Sequence, residues 1–384
     1  MVILARILSL FLILSFGAGR VAAQELIPAP PQVSASSYVL MDANSGTVLL
    51  EHNAHESLPP ASLTKLMTAY IVERELANER LRMEQLVNIS VTAWRTGGSR
   101  MFVKEGTQVS VEDLLRGIII QSGNDASVAM AEHIAGSESA FADIMNQQAA
   151  LLGMKDSHFM NATGLPDPQH RSSAYDMALL ARATIVDFPQ NYPLYAEKYF
   201  TYNSIRQPNR NTLLWRDKSV DGLKTGHTEE AGYCLVASAE RDGMRLVSVV
   251  MGTNSEEARA TETQKLLNYG FRYYETQNLF ARDKSLLDAQ IWGGATNTLA
   301  LGLTEDLSVT LPRGSREQLA PTLDVPKVIR APVEAGAKVG TLVVRMGDKV
   351  VAERSLVALQ AVEEGGFFKR LWDTIKLFFV QLFS

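Results

Sequence analysis

Two β-rich runs near the start of the chain, Ser37-Tyr38-Val39-Leu40-Met41-Asp42 and Gly46-Thr47-Val48-Leu49-Leu50, lie around the polar cluster Asn44-Ser45-Gly46. Apolar stretches of strand length around an Asn/Ser/Gly turn predict a β-hairpin. Pro59-Pro60 then breaks the chain, and residues 61–75 have helical composition and spacing. Two more helices are predicted over 125–134, ended by Gly136, and 140–152, ended by Gly153. A second hairpin follows, with strands over 232–239 and 244–252 turning at Glu240-Arg241-Asp242-Gly243, and a long helix over 255–274. Strands at both ends of a segment with helices between them predict an α/β (α+β) unit, an antiparallel sheet flanked by helices.

The pattern changes near Asp288. From there onward short β-rich runs are punctuated by Pro and Gly, as in 340–346 and 349–351 around Gly347-Asp348. This predicts a small all-β domain over 288–364, of sandwich type. Gly365-Gly366 then releases a last segment, 365–384. At 100° per residue Phe367, Phe368, Leu371, Trp372, Ile375, Phe378, Phe379, Leu382 and Phe383 share one arc. Lys369, Arg370, Asp373, Thr374, Lys376 and Gln381 take the other side, with Leu377 and Val380 as exceptions. Polar residues interrupt the segment too often for a membrane span. Aromatics on one face and mainly basic residues on the other predict an amphipathic anchor helix lying in the interface of an anionic membrane. The alternative is a helix docked on the protein's own core or in an oligomer.

At the other end, Arg6 precedes an apolar run over 7–19, and Val21-Ala22-Ala23 supplies small residues before a cut. This predicts a signal peptide over 1–23 and a mature chain that begins near Gln24 and works outside the cytoplasm. The 384 residues are 46% hydrophobic and 21% charged, an ordinary globular balance with room for more than one domain. A net charge of -5 leaves no excess of Lys and Arg to neutralise phosphates, which argues against a nucleic-acid partner. Cys234 is the only cysteine and sits within Tyr233-Cys234-Leu235-Val236-Ala237, so a buried strand position is expected and a disulfide is not. The six histidines form no HExxH pattern and no Cys/His pairing at ligand spacing, so neither metal nor cofactor is expected.

Three short motifs carry chemistry. In Ser62-Leu63-Thr64-Lys65 the serine and lysine lie about one turn apart on one helix face. Pro60 puts Ser62 near the helix start, where unpartnered N–H groups and the positive helix end favour an oxyanion. Lys65 can serve as base there if burial or nearby positive charge lowers its pKa. Ser122-Gly123-Asn124 lies between an Ile118-Ile119-Ile120 run and a helix, and by itself could be a helix cap. In Lys224-Thr225-Gly226-His227 a charge and a hydroxyl could bind a carboxylate, while Gly226 lets a substrate backbone approach a strand edge. Each motif alone has a bland reading as a cap or solvated turn. Their order, SxxK, SxN, KTG, is the signature of penicillin-binding proteins and class A β-lactamases.

With the flanking residues over 58–68, 122–126 and 221–228, the chain resembles the low-molecular-mass penicillin-binding proteins, specifically D-alanyl-D-alanine carboxypeptidases of the penicillin-binding protein 5/6 type. The resemblance implies a serine β-lactamase/DD-peptidase-like catalytic domain over 24–287 and the β domain and terminal helix already outlined. It implies that Ser62 attacks the carbonyl between two terminal D-alanines of a peptidoglycan stem peptide, with Lys65 as base. Backbone N–H groups of Ser62 and His227 would form the oxyanion hole, and Ser122 would relay a proton to the leaving amine alongside Lys65 and Lys224. Asn124 would hold the acyl-side peptide, Lys224 and Thr225 the terminal carboxylate; Arg259 matches by spacing the arginine the family places near that carboxylate. β-Lactams would acylate Ser62, and the protein would act in the periplasm on the outer face of the inner membrane, in wall synthesis and cell shape. The rivals are a β-lactamase, for which no clear Glu-x-x-x-Asn signature lies between Ser122 and Lys224, and a peptidoglycan DD-endopeptidase using the same machinery. A wall-binding protein without activity is the remaining alternative.

Overall fold

A computed structural model describes residues 27–383; the signal peptide assigned to 1–23 lies outside the described residues. A five-stranded antiparallel sheet organises the first part. Its strands are β1 (Ser37–Asp42), β2 (Val48–His52), β3 (Val220–Thr228), β4 (Gly232–Arg241) and β5 (Met244–Thr253), in the order β2-β1-β5-β4-β3. The central strands read as unbroken apolar runs because both faces are covered. Along β5, Val249 enters the core beneath the helical block, while its neighbour Val250 enters the core on the opposite face. Val236 and Leu235 of β4 divide in the same way.

The helical block between β2 and β3 contains α1 (Lys65–Ala77), α2 (Val111–Ile120), α3 (Asn124–Ala135), α4 (Glu138–Leu151) and α5 (Ala174–Asp187). Ser110, Ser137 and Ser173 cap three of them by accepting the N–H of Asp113, Ala140 and Asp176. Gly136 ends α3 in the left-handed region at φ 79°. The helix predicted from residue 61 begins as a single 3-10 turn, Ala61–Thr64, and becomes α-helical only at Lys65. α2 and α5 have no counterpart in the reading of the sequence. On the far face, α6 (Glu256–Tyr273) packs Leu266, Leu267 and Phe271 against Leu40, Leu235 and Leu246.

The β-rich part starts directly after α6. Strand β6 (Tyr274–Phe280) lies upstream of Asp288 and pairs antiparallel with β9 (Leu307–Pro312). The remaining strands are β7 (Leu287–Trp292), β8 (Thr298–Gly302), β10 (Leu319–Asp324), β11 (Ile329–Arg330), β12 (Lys338–Met346) and β13 (Lys349–Ala358). They form a six-stranded sheet ordered β10-β12-β13-β8-β7-β11. The two parts touch where Thr276 donates to the buried Asp42 carboxylate and Thr310 bonds Ser45.

The terminal helix α7 (Phe367–Phe383) does not swing on a glycine tether. Gly365 donates its N–H to Gly293 O at 2.8 Å, and a Cβ at 365 would lie 2.7 Å from Gly294 O, so this glycine allows close packing. The helix docks on the β domain through its mainly polar side. Leu377 is 3% exposed and Asp373 is buried, accepting the Gly293 N–H at 3.0 Å. The predicted apolar arc faces outward: Phe368 is 84% exposed, and Phe367, Leu371, Trp372, Ile375, Phe378 and Phe379 are also exposed. Among the described residues no helix is long and apolar enough to cross a membrane.

Candidate active site

The three motifs meet at the junction of the sheet and the helical block. Ser62 sits in the 3-10 turn, after Ala61 held in the left-handed region at φ 48°. Gly164 clamps this conformation: a Cβ there would lie 1.8 Å from Ala61 O, and its φ is 81°. Strand β3 passes close on the other side, where a Cβ at Gly226 would lie 3.1 Å from Pro60 O and 3.2 Å from Leu63 N. Both glycines therefore allow backbone to approach the Ser62 turn at distances a side chain would forbid.

Lys65 lies beneath Ser62, fully buried. Its ammonium donates to Ser62 Oγ at 3.0 Å and to Thr163 O at 2.6 Å. Burial lowers its pKa from 10.5 to about 7, with the Arg210 charge adding to the effect and Asp125 and Glu138 opposing it. The carbonyl partner comes from the 161–164 turn, in which Asn161 Oδ1 accepts from Thr163 N, Thr163 Oγ1 and Gly164 N. Thr68 Oγ1 donates to Ala162 O at 2.7 Å, fastening the same turn to α1.

Ser122 stands just ahead of α3 at φ 60°, a conformation that costs about 1–3 kcal/mol for a residue with a side chain. Its buried Oγ has no hydrogen-bond partner among the described residues. Asn124 opens α3; its Nδ2 donates to Gly97 O at 2.7 Å, and its buried Oδ1 also lacks a described partner. Buried polar atoms are nearly always paired, so two such atoms at one site mark places for a ligand or water. Asp125 keeps the facing loop in place by accepting the N–H groups of Met101, Phe102 and Val103.

Lys224 is 3% exposed on β3 and donates to Thr225 O at 3.0 Å. Burial pushes its pKa well below the usual range, and the charges of Lys65, Arg210 and Arg259 press the same way. Arg259, on α6, is buried behind β3 and donates to Gly226 O at 3.4 Å and Glu256 Oε1 at 3.1 Å. A cleft of about 240 Å³ opens over these groups. Of the motif residues, Ser62, Ser122, Thr225, Gly226, His227 and Arg259 line it. Lys65, Asn124 and Lys224 are buried and do not line it; Asn124 lies two residues past Ser122.

Reading the sequence missed Thr163, Arg210 and Ser99. Thr163 acts through its carbonyl, which no side-chain pattern reports. Gly164 could have marked a tight turn, but nothing local ties that turn to Lys65. Arg210 and Ser99 line the cleft from loops without motif character. Asp156, Asp167 and Asp176, carboxylates that lie between Ser122 and Lys224 in the sequence, do not line the cleft. Asp176 instead accepts from Ser157 and Asp156 N.

A serine 3.0 Å from a buried lysine, on a sheet-and-helix scaffold with the Lys224-Thr225-Gly226 strand beside it, is the arrangement of a serine acyl-transfer hydrolase of the penicillin-binding class. Residues 24–255 match the D-alanyl-D-alanine carboxypeptidase family, and residues 274–364 match the penicillin-binding protein 5, C-terminal domain. The chain belongs to the D-alanyl-D-alanine carboxypeptidases. It is 45% identical over 372 residues to D-alanyl-D-alanine carboxypeptidase DacC of Escherichia coli (strain K12), covering 94% of this chain and 92% of that protein. Penicillin binding protein 5 from Haemophilus influenzae superposes with a TM-score of 0.82 at 41% identity, covering 88% of this chain and 100% of that one. The ampicillin-bound form of penicillin-binding protein D2 from Listeria monocytogenes matches at TM-score 0.58 and 31% identity, covering 63% of this chain and 100% of that one. The protein is thus a serine D-Ala-D-Ala carboxypeptidase that acts on peptidoglycan stem peptides and binds penicillins.

Proposed function

We propose that Ser62 is the nucleophile and Lys65 its general base. Ser62 Oγ adds to the carbonyl carbon of the penultimate D-alanine as its proton passes to Lys65 Nζ. The N–H groups of Ser62 and His227 hold the oxyanion. The C–N bond then breaks, and Ser122, alongside Lys65 and Lys224, relays a proton to the departing D-alanine amine. Asn124 Oδ1, unpartnered in the free protein, accepts the N–H of the acyl-side peptide. Lys224, Thr225 and Arg259 hold the terminal carboxylate. Water next attacks the Ser62 ester by the reverse proton route, releasing the shortened peptide. The single observation that carries this reading is the 3.0 Å contact between Ser62 Oγ and a fully buried Lys65.

Mass spectrometry of muropeptides tests it. Wild-type protein should remove one alanine from pentapeptides, and Ser62→Ala should remove none and lose labelling by a fluorescent penicillin. Shortening of cross-linked dimers without alanine release would favour the endopeptidase reading, and rapid penicillin turnover the β-lactamase. The location rests on the two chain ends: the 1–23 leader exports the chain to the periplasm, and α7 lays its outward apolar arc into the outer face of the inner membrane.

A further inference from the structure

The docked pose of α7 leaves a crevice of about 150 Å³ between the helix and the edge of the β domain. Trp292, Gly293, Arg330, Arg370, Asp373 and Leu377 line it. Two of the cations around it are already paired: Lys369 with Asp373 and Asn297, and Arg370 with Glu364. Arg330, exposed at the end of β11, has no ion-pair or hydrogen-bond partner for its guanidinium among the described residues. The crevice therefore presents one uncommitted guanidinium, fixed in place by a strand.

Its depth relative to a bilayer follows from helix geometry. A helix is about 10–12 Å across with its side chains, and an interfacial helix buries its apolar face about 5–10 Å into the headgroup/acyl boundary. If the exposed Phe368–Trp372–Phe378 side lies in the acyl region, the docked Asp373–Leu377 side lies at the level of the lipid phosphates. We propose that this crevice is a headgroup site in which Arg330 holds the phosphate of an anionic phospholipid, so that the β domain itself, and not only the helix, touches the membrane. Arg suits this role because its planar fork pairs with two phosphate oxygens. The proposal rests on the membrane-anchor reading of α7.

The test is co-sedimentation of mature protein, residues 24–384, with vesicles of pure phosphatidylcholine or with about 30% phosphatidylglycerol, at fixed ionic strength. Phe378→Asp disables the apolar arc, and Arg330→Gln disables the site; penicillin labelling confirms that both variants fold. The site is supported if Phe378→Asp loses binding to both vesicles, while Arg330→Gln binds phosphatidylglycerol vesicles about five-fold more weakly and phosphatidylcholine vesicles as wild type does. Wild-type behaviour of Arg330→Gln alongside loss in Phe378→Asp overturns the site and leaves the anchor standing. Undiminished binding by Phe378→Asp overturns the anchor and the site with it. Equal competition by free glycerol phosphate for wild type and Arg330→Gln also counts against Arg330 as the phosphate ligand.

Discussion

Lowering the pH should slow acylation of Ser62 in a manner set by Lys65. An ordinary lysine, with a pKa of 10.5, is neutral in only about one molecule in three thousand at pH 7; with a pKa of about 7 roughly half are neutral. The difference amounts to about 5 kcal/mol against the ammonium, supplied mainly by full burial and secondarily by Arg210. If the neutral amine takes the serine proton, the acylation rate should rise tenfold per pH step below about 7 and flatten above it. At pH 5 it should stand about a hundredfold below the plateau. Stopped-flow acylation by a fluorescent penicillin between pH 5 and 9 reads this directly, with circular dichroism confirming the fold at each point. Arg210→Gln removes an exposed charge without disturbing the core, so it should move the break to higher pH. A flat profile from pH 5 to 9, or a break above 9, would refute Lys65 as the base.

Three further outcomes follow from the same geometry. Gly164→Ala should be destabilised by at least about 2 kcal/mol in denaturant titration and lose more than tenfold in acylation, because the new Cβ meets Ala61 O and φ is unfavourable; wild-type values would mean the turn is not a clamp. Arg259→Gln should lower kcat/KM on a D-Ala-D-Ala peptide by about 10- to 150-fold, the value of a charged hydrogen bond, while a peptide amide lacking the carboxylate should be far less affected; equal losses would exclude carboxylate binding. Glu73 is buried with one oxygen accepting from Tyr195, and burial raises its pKa from 4.5 to about 8, so the folded state holds a proton the unfolded state releases above pH 4.5. Stability should therefore fall between about pH 4.5 and 8, by about 3 kcal/mol from pH 5 to 7.5. Glu73→Gln should flatten that slope in thermal melts across the range, and an unchanged slope would reject the buried acid.

The sequence carried the hairpins, the motifs and the faces of the terminal helix, which short-range chemistry specifies. The hairpins were legible because turn residues separate strand-length apolar runs, and the three motifs because each places its groups within four residues. The two faces of α7 followed from the 3.6-residue period, which needs no neighbour. What lay beyond the sequence depends on which distant segments share space. Nothing near Lys65 names Thr163 as its acceptor, since that partner is a carbonyl 98 positions away. Nothing in β11 predicts that Arg330 would border the terminal helix. α2 and α5 escaped because burial on several sides blurs the periodicity that marks a half-exposed helix; α5, for example, buries residues from Ala174 through Thr184. Only the folded chain decided that Leu377, an exception on the polar face, is the residue that docks α7, while the larger aromatics stay outside. The pKa of Lys65 is likewise a tertiary property. A side chain's charge is written in the sequence, but the solvent it loses on folding is not.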